Sequence, residues 1–226
     1  DPISVPHLYT QQQDIEIAGF FAAIFAWGRR ATIISKAKEL MQLMDCAPHQ
    51  FIQQHHPKDL RRFLQFKHRT FNATDLLYCI QFLQNHYRRY TSLSDAFTRH
   101  MKKGDKNVEF ALAGFHDYFF SREDAPDRTR KHIATPARAS SCKRLNMYLR
   151  WMVRKDDRGV DFGIWDGISM QQLVMPLDLH VCRVAVELKL MEGSKSDWDT
   201  AVGLTEKLKR FDAGDPVRYD FALFGS

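Results

Sequence analysis

The spacing of apolar residues constrains the fold of this chain more than any other feature of its sequence. Apolar residues recur at intervals of three and four positions along most of the 226 residues, for example at Leu76, Leu77, Ile80 and Leu83. This is the period of an amphipathic α-helix, and segments with the strict alternation of a half-buried strand do not stand out. The pattern therefore predicts an all-α protein.

One segment between the helical patterns predicts how this all-α fold is organised. The sequence REDAPDRTRKHIATPARAS contains two prolines and few apolar residues, which is typical of a connection. A chain of 226 residues is long enough for one large domain or two small ones. We predict a single domain over residues 1–226 that has two helical lobes with a cleft between them. The first lobe spans roughly 14–125 and the second roughly 126–226.

The charge of the chain favours a polyanionic partner. The chain carries 33 Lys and Arg residues against 27 Asp and Glu residues, a formal net charge of +6. Such an excess favours nucleic acid, and less often an anionic membrane, as the partner. No apolar run reaches the roughly 20 residues of a membrane-spanning helix, so we expect no membrane partner.

The four cysteines indicate the compartment. Cys46, Cys79, Cys142 and Cys182 lie far apart and form no C-x-x-C pair. This spacing argues against a metal site built from cysteines and against a disulfide framework. The N-terminal segment DPISVPHLYTQQQD is polar and lacks the apolar region of a signal peptide. We therefore expect a cytoplasmic protein with reduced thiols.

The most basic segment of the chain holds a lysine where a helix is expected to start. Between Arg128 and Lys155 there are nine Lys or Arg residues and no Asp or Glu. With Ser140 or Ser141 as the N-cap, Lys143 lies in the first helical turn, where unpaired N–H groups repel a cation. A lysine at this place needs an explanation.

Two functions explain a lysine at a helix start. A helix N-terminus with Lys143 and Arg144 forms an anion site that suits a phosphate group. Alternatively, the amine of Lys143 is a nucleophile, because the helix N-terminus and neighbouring cations favour its uncharged form. The residues alone favour phosphate binding or simple surface charge over catalysis.

A second motif, MPLDLHVCRVA, places Asp178 at the start of a later helix. Aspartate is a preferred N-cap, and that role alone would explain it. However, a lysine followed by a turn-rich segment and P-x-D-x-H-V-x-R resembles the helix-hairpin-helix DNA glycosylases. The resemblance implies that Lys143 attacks the sugar and that Asp178 assists, with His180 and Arg183 in the tail of the motif contacting DNA.

Within that superfamily the chain is most similar to the archaeal 8-oxoguanine glycosylases, which also have a long separation between lysine and aspartate. The segment DFALFG resembles their D-x-L-L-W segment, which implies that Asp220 and Phe224 line a pocket for the base. The residue one turn after the lysine, Met147, would lie against the flipped base. The chain departs from the family in reading A-S-S-C before Lys143 instead of G-x-G, and in having Phe224 instead of tryptophan.

Three strings also resemble a bacterial family known as a conserved domain of unknown function. They are CKRLNMYLRWMVR, GVDFGIW and DPVRYDFALFG. This second resemblance covers nearly the whole chain, whereas the glycosylase resemblance covers roughly the last ninety residues and a general helical plan for the rest.

Further residues complete the predicted site. Trp27 and Trp165 are candidates to pack on the base. Trp27 ends an apolar helix and also suits a core, whereas Trp165 lies in a turn-rich segment and is the better surface candidate. Arg29 would contact either DNA or a helix C-terminus, and Arg138 belongs to the basic segment expected to bind phosphates.

The resemblance implies a DNA glycosylase with AP lyase activity on an oxidised purine such as 8-oxoguanine, acting through a Schiff base on Lys143. The expected partner is double-stranded DNA with a damaged base, bound by a monomer, and the chemistry needs no metal or organic cofactor. Two alternatives stay open. In one, the protein binds nucleic acid without catalysis, with Lys143 and Arg144 on phosphate and Asp178 only a cap. In the other, the protein is a protein-interaction module.

Overall fold

Helices account for most of the secondary structure, as the apolar spacing predicts. The α-helices of the described chain are α1 (Gln12–Ile24), α2 (Arg30–Leu43), α3 (Pro48–Gln54), α4 (Ala73–Tyr87), α5 (Ser94–Thr98), α6 (Glu109–Phe119), α7 (Lys143–Val153), α8 (Leu179–Glu187), α9 (Trp198–Leu208) and α10 (Asp220–Phe224). Short 3₁₀ helices lie between several of them. Strands β1 (Lys67–His68) and β2 (Phe71–Asn72) pair antiparallel. Strands of two residues are too short to show an alternating pattern in the sequence.

The protein, a computed structural model, is described here for residues 1–193 and 195–224. The chain divides into two units. Unit 1 consists of residues 1–96 and 117–133, and unit 2 consists of residues 97–116 and 134–226. The predicted lobe boundary near residue 126 lies within the last segment of unit 1. Sequence reasoning did not anticipate that residues 97–116, which precede that boundary, belong to unit 2.

The core of unit 1 forms around α1. This helix is apolar on nearly every side, and its residues from Ile15 to Ile24 are all buried. One of them is Glu16, whose carboxylate accepts hydrogen bonds from the hydroxyl of Tyr87 at 2.8 Å and from the backbone N–H of Leu93 at 2.9 Å. Because a buried charge is costly without such partners, these bonds explain how an acidic residue is tolerated in the most apolar helix.

The core of unit 2 forms around α7. One face of this helix is fully buried, and it consists of Leu145, Tyr148, Leu149 and Met152. The segment that follows α7 returns along it, because the N–H of Phe162 donates to the carbonyl of Trp151 at 2.8 Å. Trp165 then packs edge-on against Tyr148, with 5.4 Å between ring centroids. The apolar face thereby fixes α7, so its first residue has a defined position.

Two further features relate to the predictions about membranes and thiols. Within the described residues, no helix combines the length and the apolar character needed to cross a membrane. The four cysteines are free thiols, with Cys46 exposed and Cys79, Cys142 and Cys182 buried.

Candidate active site

Helix α7 begins at Lys143, and its N-cap is Cys142 rather than the predicted Ser140 or Ser141. Cys142 has a φ of 51°, in the left-handed region, and makes no side-chain capping bond. The two serines have other hydrogen-bond partners. The hydroxyl of Ser140 accepts from the N–H of Cys142 at 3.1 Å, and the hydroxyl of Ser141 donates to the carbonyl of Leu177 at 2.9 Å. The N-cap prediction was therefore wrong by one or two residues.

The hydrogen bond between Ser141 and Leu177 joins the two segments that carry the predicted catalytic residues. Ser141 lies two residues before Lys143, and Leu177 lies one residue before Asp178. Both Ser141 and Leu177 are buried, where a hydrogen bond is worth more than at the surface. This bond brings the start of α7 beside the start of α8.

The carboxylate of Asp178 has a separate partner for each oxygen. Oδ1 accepts from the N–H groups of His180 at 3.0 Å and Val181 at 2.9 Å, which makes Asp178 the N-cap of α8. Oδ2 accepts a hydrogen bond from Nζ of Lys143. The capping role predicted for Asp178 is therefore present, and it leaves one oxygen to contact the amine.

Two opposing effects act on the pKa of Asp178. Burial raises it, whereas the hydrogen bond from Lys143 and the N–H groups of Val181 and His180 lower it, and the net result is a pKa below the ordinary value. Asp178 is thus ionised at neutral pH. The side chains of Lys143 and Asp178 are 27% and 28% exposed, so the pair is reachable by a bound molecule.

An aromatic ring lies over the amine. The ring centroid of Phe224 is 5.3 Å from Nζ of Lys143, within range of a cation–π contact. Phe224 is held by His180, whose Nε2 donates to the Phe224 carbonyl at 3.1 Å. The side chain of Phe224 stays exposed. The structure therefore brings four predicted residues together, namely Lys143, Asp178, His180 and Phe224.

Asp220, the other predicted residue of α10, is held by an arginine. Its Oδ2 accepts from Nη1 of Arg150, a residue that is 1% exposed. The same guanidinium contacts Asp161 through Nε and Nη2, each at 3.2 Å. Burial raises the pKa of Asp220 and of Asp161 in spite of this arginine. Phe221 covers Arg150 from the outside, with 4.4 Å between its ring centroid and Cζ.

A second arginine extends this cluster. Arg154 contacts Asp161 at 2.9 Å, Asp156 at 3.0 Å and Asp215 at 2.8 Å. Asp161 is shared between Arg154 and Arg150, so the two guanidiniums form one connected network. We call the six residues the arginine network, and they are Arg150, Arg154, Asp156, Asp161, Asp215 and Asp220.

Sequence reasoning missed the arginine network, although one signal was available. Arg150 follows Lys143 by seven residues and Met147 by three, so all three lie near one face of α7. That spacing would have placed Arg150 on the same face of α7 as Lys143, although it does not indicate that the arginine is buried. Asp161 stands in the quoted string GVDFGIW, but its burial depends on contacts that the local sequence does not reveal.

The remaining predicted residues have different positions. Met147 is half-buried on α7. Trp165 is 2% exposed and packs against Phe97 and Tyr148. The prediction that Trp165 is available at the surface was wrong, because the turn-rich segment folds back onto the apolar face of α7. Trp27 is half-buried and belongs to unit 1.

The residues predicted to bind DNA are mostly accessible. Arg138 and Arg183 in unit 2 and Arg29 in unit 1 are exposed, and Arg144 is partly exposed. Arg29 is the N-cap residue of α2, and its contact with DNA or with a helix C-terminus stays a prediction. In the described residues, no group of three or more His, Cys, Asp or Glu side chains is placed to hold a metal ion.

A family model described as "Protein of unknown function (DUF2400)" matches residues 1–226. No curated protein and no solved structure matches the chain.

Proposed function

Because the chain belongs to the DUF2400 family, whose function is not known, we propose a function from the geometry of its site. The protein is a DNA glycosylase with AP lyase activity, of the helix-hairpin-helix type, acting on an oxidised purine such as 8-oxoguanine. One observation carries the proposal. The amine of Lys143, the first residue of α7, contacts the carboxylate of Asp178, the N-cap of α8.

The nucleophile of the proposed reaction is Nζ of Lys143. Asp178 accepts a proton from the amine, which frees the lone pair for attack. Nζ then forms a bond to C1′ of the damaged nucleotide while the bond from C1′ to the base nitrogen breaks. The base leaves with the bonding electrons and takes up the proton that Asp178 had accepted, so Asp178 is a carboxylate again while positive charge builds up on the sugar. The new amine on C1′ then gives up a proton to O4′ as the bond between C1′ and O4′ breaks, and the opened sugar remains attached as a protonated Schiff base on Lys143.

The lyase step follows from the Schiff base. Its positive charge acidifies the hydrogens on C2′, so a base can remove one of them. The electrons left on C2′ expel the 3′ phosphate, and the strand breaks by β-elimination. Water then hydrolyses the Schiff base and restores the amine of Lys143. Every atom in this sequence comes from the substrate, the protein or water.

Asp178 also suits the charge that develops during base release. The transition state carries positive charge on the sugar, and a fixed carboxylate nearby stabilises it. The N–H groups of His180 and Val181 hold Oδ1 of Asp178 in place and lower its pKa. The carboxylate therefore needs no reorganisation when the sugar becomes cationic.

A flipped base needs a surface on which to stack and a group that reads its edge. Phe224 is exposed, and its ring lies 5.3 Å from the amine of Lys143, so it can stack on a base held at the reacting position. Met147, one helical turn after Lys143, would contact the other face. Asp220 would bind the edge of the base, with the partner Arg150 fixing its orientation. Trp27 stays a prediction for stacking.

The basic residues beside the proposed catalytic pair suit the DNA backbone. Arg138 precedes α7, Arg144 lies in the first turn of α7, and His180 and Arg183 lie in the first two turns of α8. They would bind phosphates without reading sequence. Arg29, in unit 1, stays a separate prediction for DNA contact. Such contacts supply the attraction that offsets the cost of rotating a nucleotide out of the duplex, a few kcal/mol.

Borohydride trapping tests this proposal. The protein is incubated with a duplex that contains 8-oxoguanine or an abasic site, and borohydride reduces any Schiff base to a stable covalent adduct. We expect an adduct with the unaltered protein and a loss of at least about 10³-fold with Lys143→Gln, since the nucleophile is removed. Lys155→Gln is the control, because Lys155 is exposed and pairs with Asp166 instead, and its adduct should be unchanged.

A second candidate function is nucleic-acid binding without catalysis. The observation in its favour is that Lys143 already forms an ion pair with Asp178, as a purely structural ammonium group would. In this case the unaltered protein would retain DNA on a filter but give no adduct with either substrate. An adduct that persists in Lys143→Gln would also contradict catalysis by this lysine.

A further inference from the structure

A second basic feature of unit 2 lies away from the candidate active site in sequence. The segment between α5 and α6 reads MKKGDKN over residues 101–107 and borders a cavity of about 1140 Å³. Residues within 98–107, 167–172 and 202–213 line this cavity, and all belong to unit 2. Lys143 and Asp178 are not among them. We call it the lysine cavity.

The loop that carries the lysines is held in one conformation. Gly104 has a φ of 103°, which favours glycine. The carboxylate of Asp105 accepts from the N–H of Lys102 at 2.7 Å, which closes the turn. Gln172, from another segment, donates to the carbonyl of Asp105 at 2.8 Å and accepts from the N–H of Val108 at 3.1 Å. The loop therefore presents its lysines from a fixed backbone.

The charge at the lysine cavity is unbalanced. The lining contains four lysines and two acidic residues. Lys209 pairs with Glu206 at 2.7 Å, and the carboxylate of Asp105 is occupied by the loop backbone. The other three lysines are exposed and, among the described residues, have no carboxylate at ion-pair distance. They are Lys102, Lys103 and Lys106.

The chemistry of the lining indicates what would bind there. Lysines act as point charges that attract phosphate without the planar, two-pronged geometry of arginine. None of the lining residues is aromatic, so a nucleobase has no ring on which to stack. That argues against a free nucleotide. The cavity is also far larger than one phosphate ion, which favours a continuous chain of phosphates.

We propose that the lysine cavity binds the phosphate backbone of DNA, as a contact surface separate from the catalytic pair. The identification of DNA, as opposed to another phosphate polymer, rests on the proposed function. The contact is independent of sequence and of damage, because lysines and polar groups that bind phosphates do not read base edges. Its role is to raise the affinity of the protein for any duplex.

The salt dependence of DNA binding tests this proposal. The triple variant Lys102→Gln, Lys103→Gln, Lys106→Gln removes three charges and keeps the loop length. Binding to an undamaged duplex is measured by fluorescence anisotropy over a range of NaCl concentrations. Each phosphate contact contributes about 0.9 to the slope of log K against log salt. We expect the slope to become shallower by about 2 to 3, and the affinity at roughly 50 mM salt to fall by about 10- to 100-fold.

A matched triple variant controls for net charge. Lys38→Gln, Lys58→Gln, Lys67→Gln removes the same charge from exposed positions of unit 1. The proposal requires a much smaller loss of affinity in this control. An equal loss in the two triple variants would overturn it, because the effect would then depend on total charge. An unchanged slope in the loop variant would also overturn it. A loop variant that loses binding to anionic phosphatidylserine vesicles but keeps its DNA binding would overturn it as well.

The measurement separates this inference from the proposed function. Anisotropy on undamaged DNA involves no chemistry. The slope of log K against log salt for Lys143→Gln should therefore differ from that of the unaltered protein by no more than about 0.9, the contribution of one phosphate contact. Conversely, the loop variant should give the normal yield of borohydride adduct when the protein is in saturating excess. If the unaltered protein gives no adduct while the loop variant has a shallower slope, the glycosylase proposal is contradicted and DNA binding by the lysine cavity is supported.

Discussion

Two groups of acid–base pairs lie along the same helix, α7, and they differ in almost every physical respect. At its first residue, the side chains of Lys143 and Asp178 are 27% and 28% exposed and form a single pair. Two turns later, the side chains of Arg150 and Asp161 are 2% and 0% exposed and belong to the arginine network. The first pair is accessible to a ligand, whereas the second is enclosed by protein.

The difference indicates which charges are structural. A buried guanidinium that donates hydrogen bonds to several carboxylates inside the protein fixes the position of the elements around it. A partly exposed amine that is paired with one carboxylate can still contact a bound molecule. Arg150 thus orients α10 through Asp220, while Lys143 is the group that a substrate can reach.

The largest stability effect should come from removing Arg150. Arg150→Met has a similar side-chain length but leaves Asp161 and Asp220 without their shared partner in a buried place. We expect the free energy of unfolding at pH 7 to fall by about 3–5 kcal/mol, measured by urea denaturation. Lys155→Met, at an exposed pair with Asp166, should change it by no more than about 0.5 kcal/mol.

Lowering the pH should reverse part of that loss. Burial raises the pKa of Asp161 and Asp220, so the folded state takes up protons at a higher pH than the unfolded state. Stability from these two groups therefore increases as the pH falls from neutrality towards the unfolded pKa, about 3.9. We expect Arg150→Met to regain stability relative to the unaltered protein at about pH 5. An equal deficit at both pH values would show that the carboxylates are not the cause.

The next effect concerns Asp178, where capping and catalysis can be separated. Asp178→Asn keeps an oxygen that accepts from the N–H groups of α8 but removes the negative charge. We expect the single-turnover rate of base release to fall by about 10²- to 10³-fold, with the free energy of unfolding changed by less than about 1 kcal/mol. Asp178→Ala removes the cap as well and should cost about 1 kcal/mol more. Identical rates in Asp178→Asn and the unaltered protein would make Asp178 only a cap.

The stability that Asp178 contributes also has a predictable pH dependence. Its pKa is lower in the folded protein than its ordinary value, so its contribution is fully present above the unfolded pKa and is lost as the pH falls through the folded pKa. The difference in stability between Asp178→Asn and the unaltered protein should therefore shrink below about pH 4. Thermal melts at pH 7 and pH 3 measure it.

The smallest effect should come from the turn before α7. Ala139 is exposed and has a φ of 54°, which is unfavourable for a residue with a Cβ. Ala139→Gly should raise the free energy of unfolding by about 0.5–1 kcal/mol. Ala137→Gly, two residues earlier in a 3₁₀ helix, should lower it by a similar amount. A loss of stability in Ala139→Gly would contradict the account of this turn.

Helices α7 and α8, and the residues at which they begin or are capped, could be predicted from the sequence to within one or two positions. The apolar spacing from Leu145 to Met152 identified the buried face of α7, and the helix start at Asp178 followed from its capping chemistry. The pairing of Lys143 with Asp178 came from the resemblance to a known family. No local rule joins residues that are 35 positions apart.

The parts that could not be predicted depend on tertiary contacts. Ser141 was a plausible N-cap, but its hydroxyl donates to Leu177 instead, and Cys142 adopts a left-handed conformation that its residue type does not signal. Trp165 stands in a turn-rich segment that suggests exposure, yet it packs on Tyr148. In each case a partner distant in sequence outweighs the local preference.

Peptide mapping of the trapped adduct tests the central claim most directly. The unaltered protein is reduced with borohydride on a duplex containing 8-oxoguanine, the DNA is digested, and mass spectrometry locates the residual sugar on the protein. The account predicts a single modified residue, Lys143, with the modification absent in Asp178→Ala or formed far more slowly. Modification of a different lysine, or intact protein with no modified peptide at all, would contradict it.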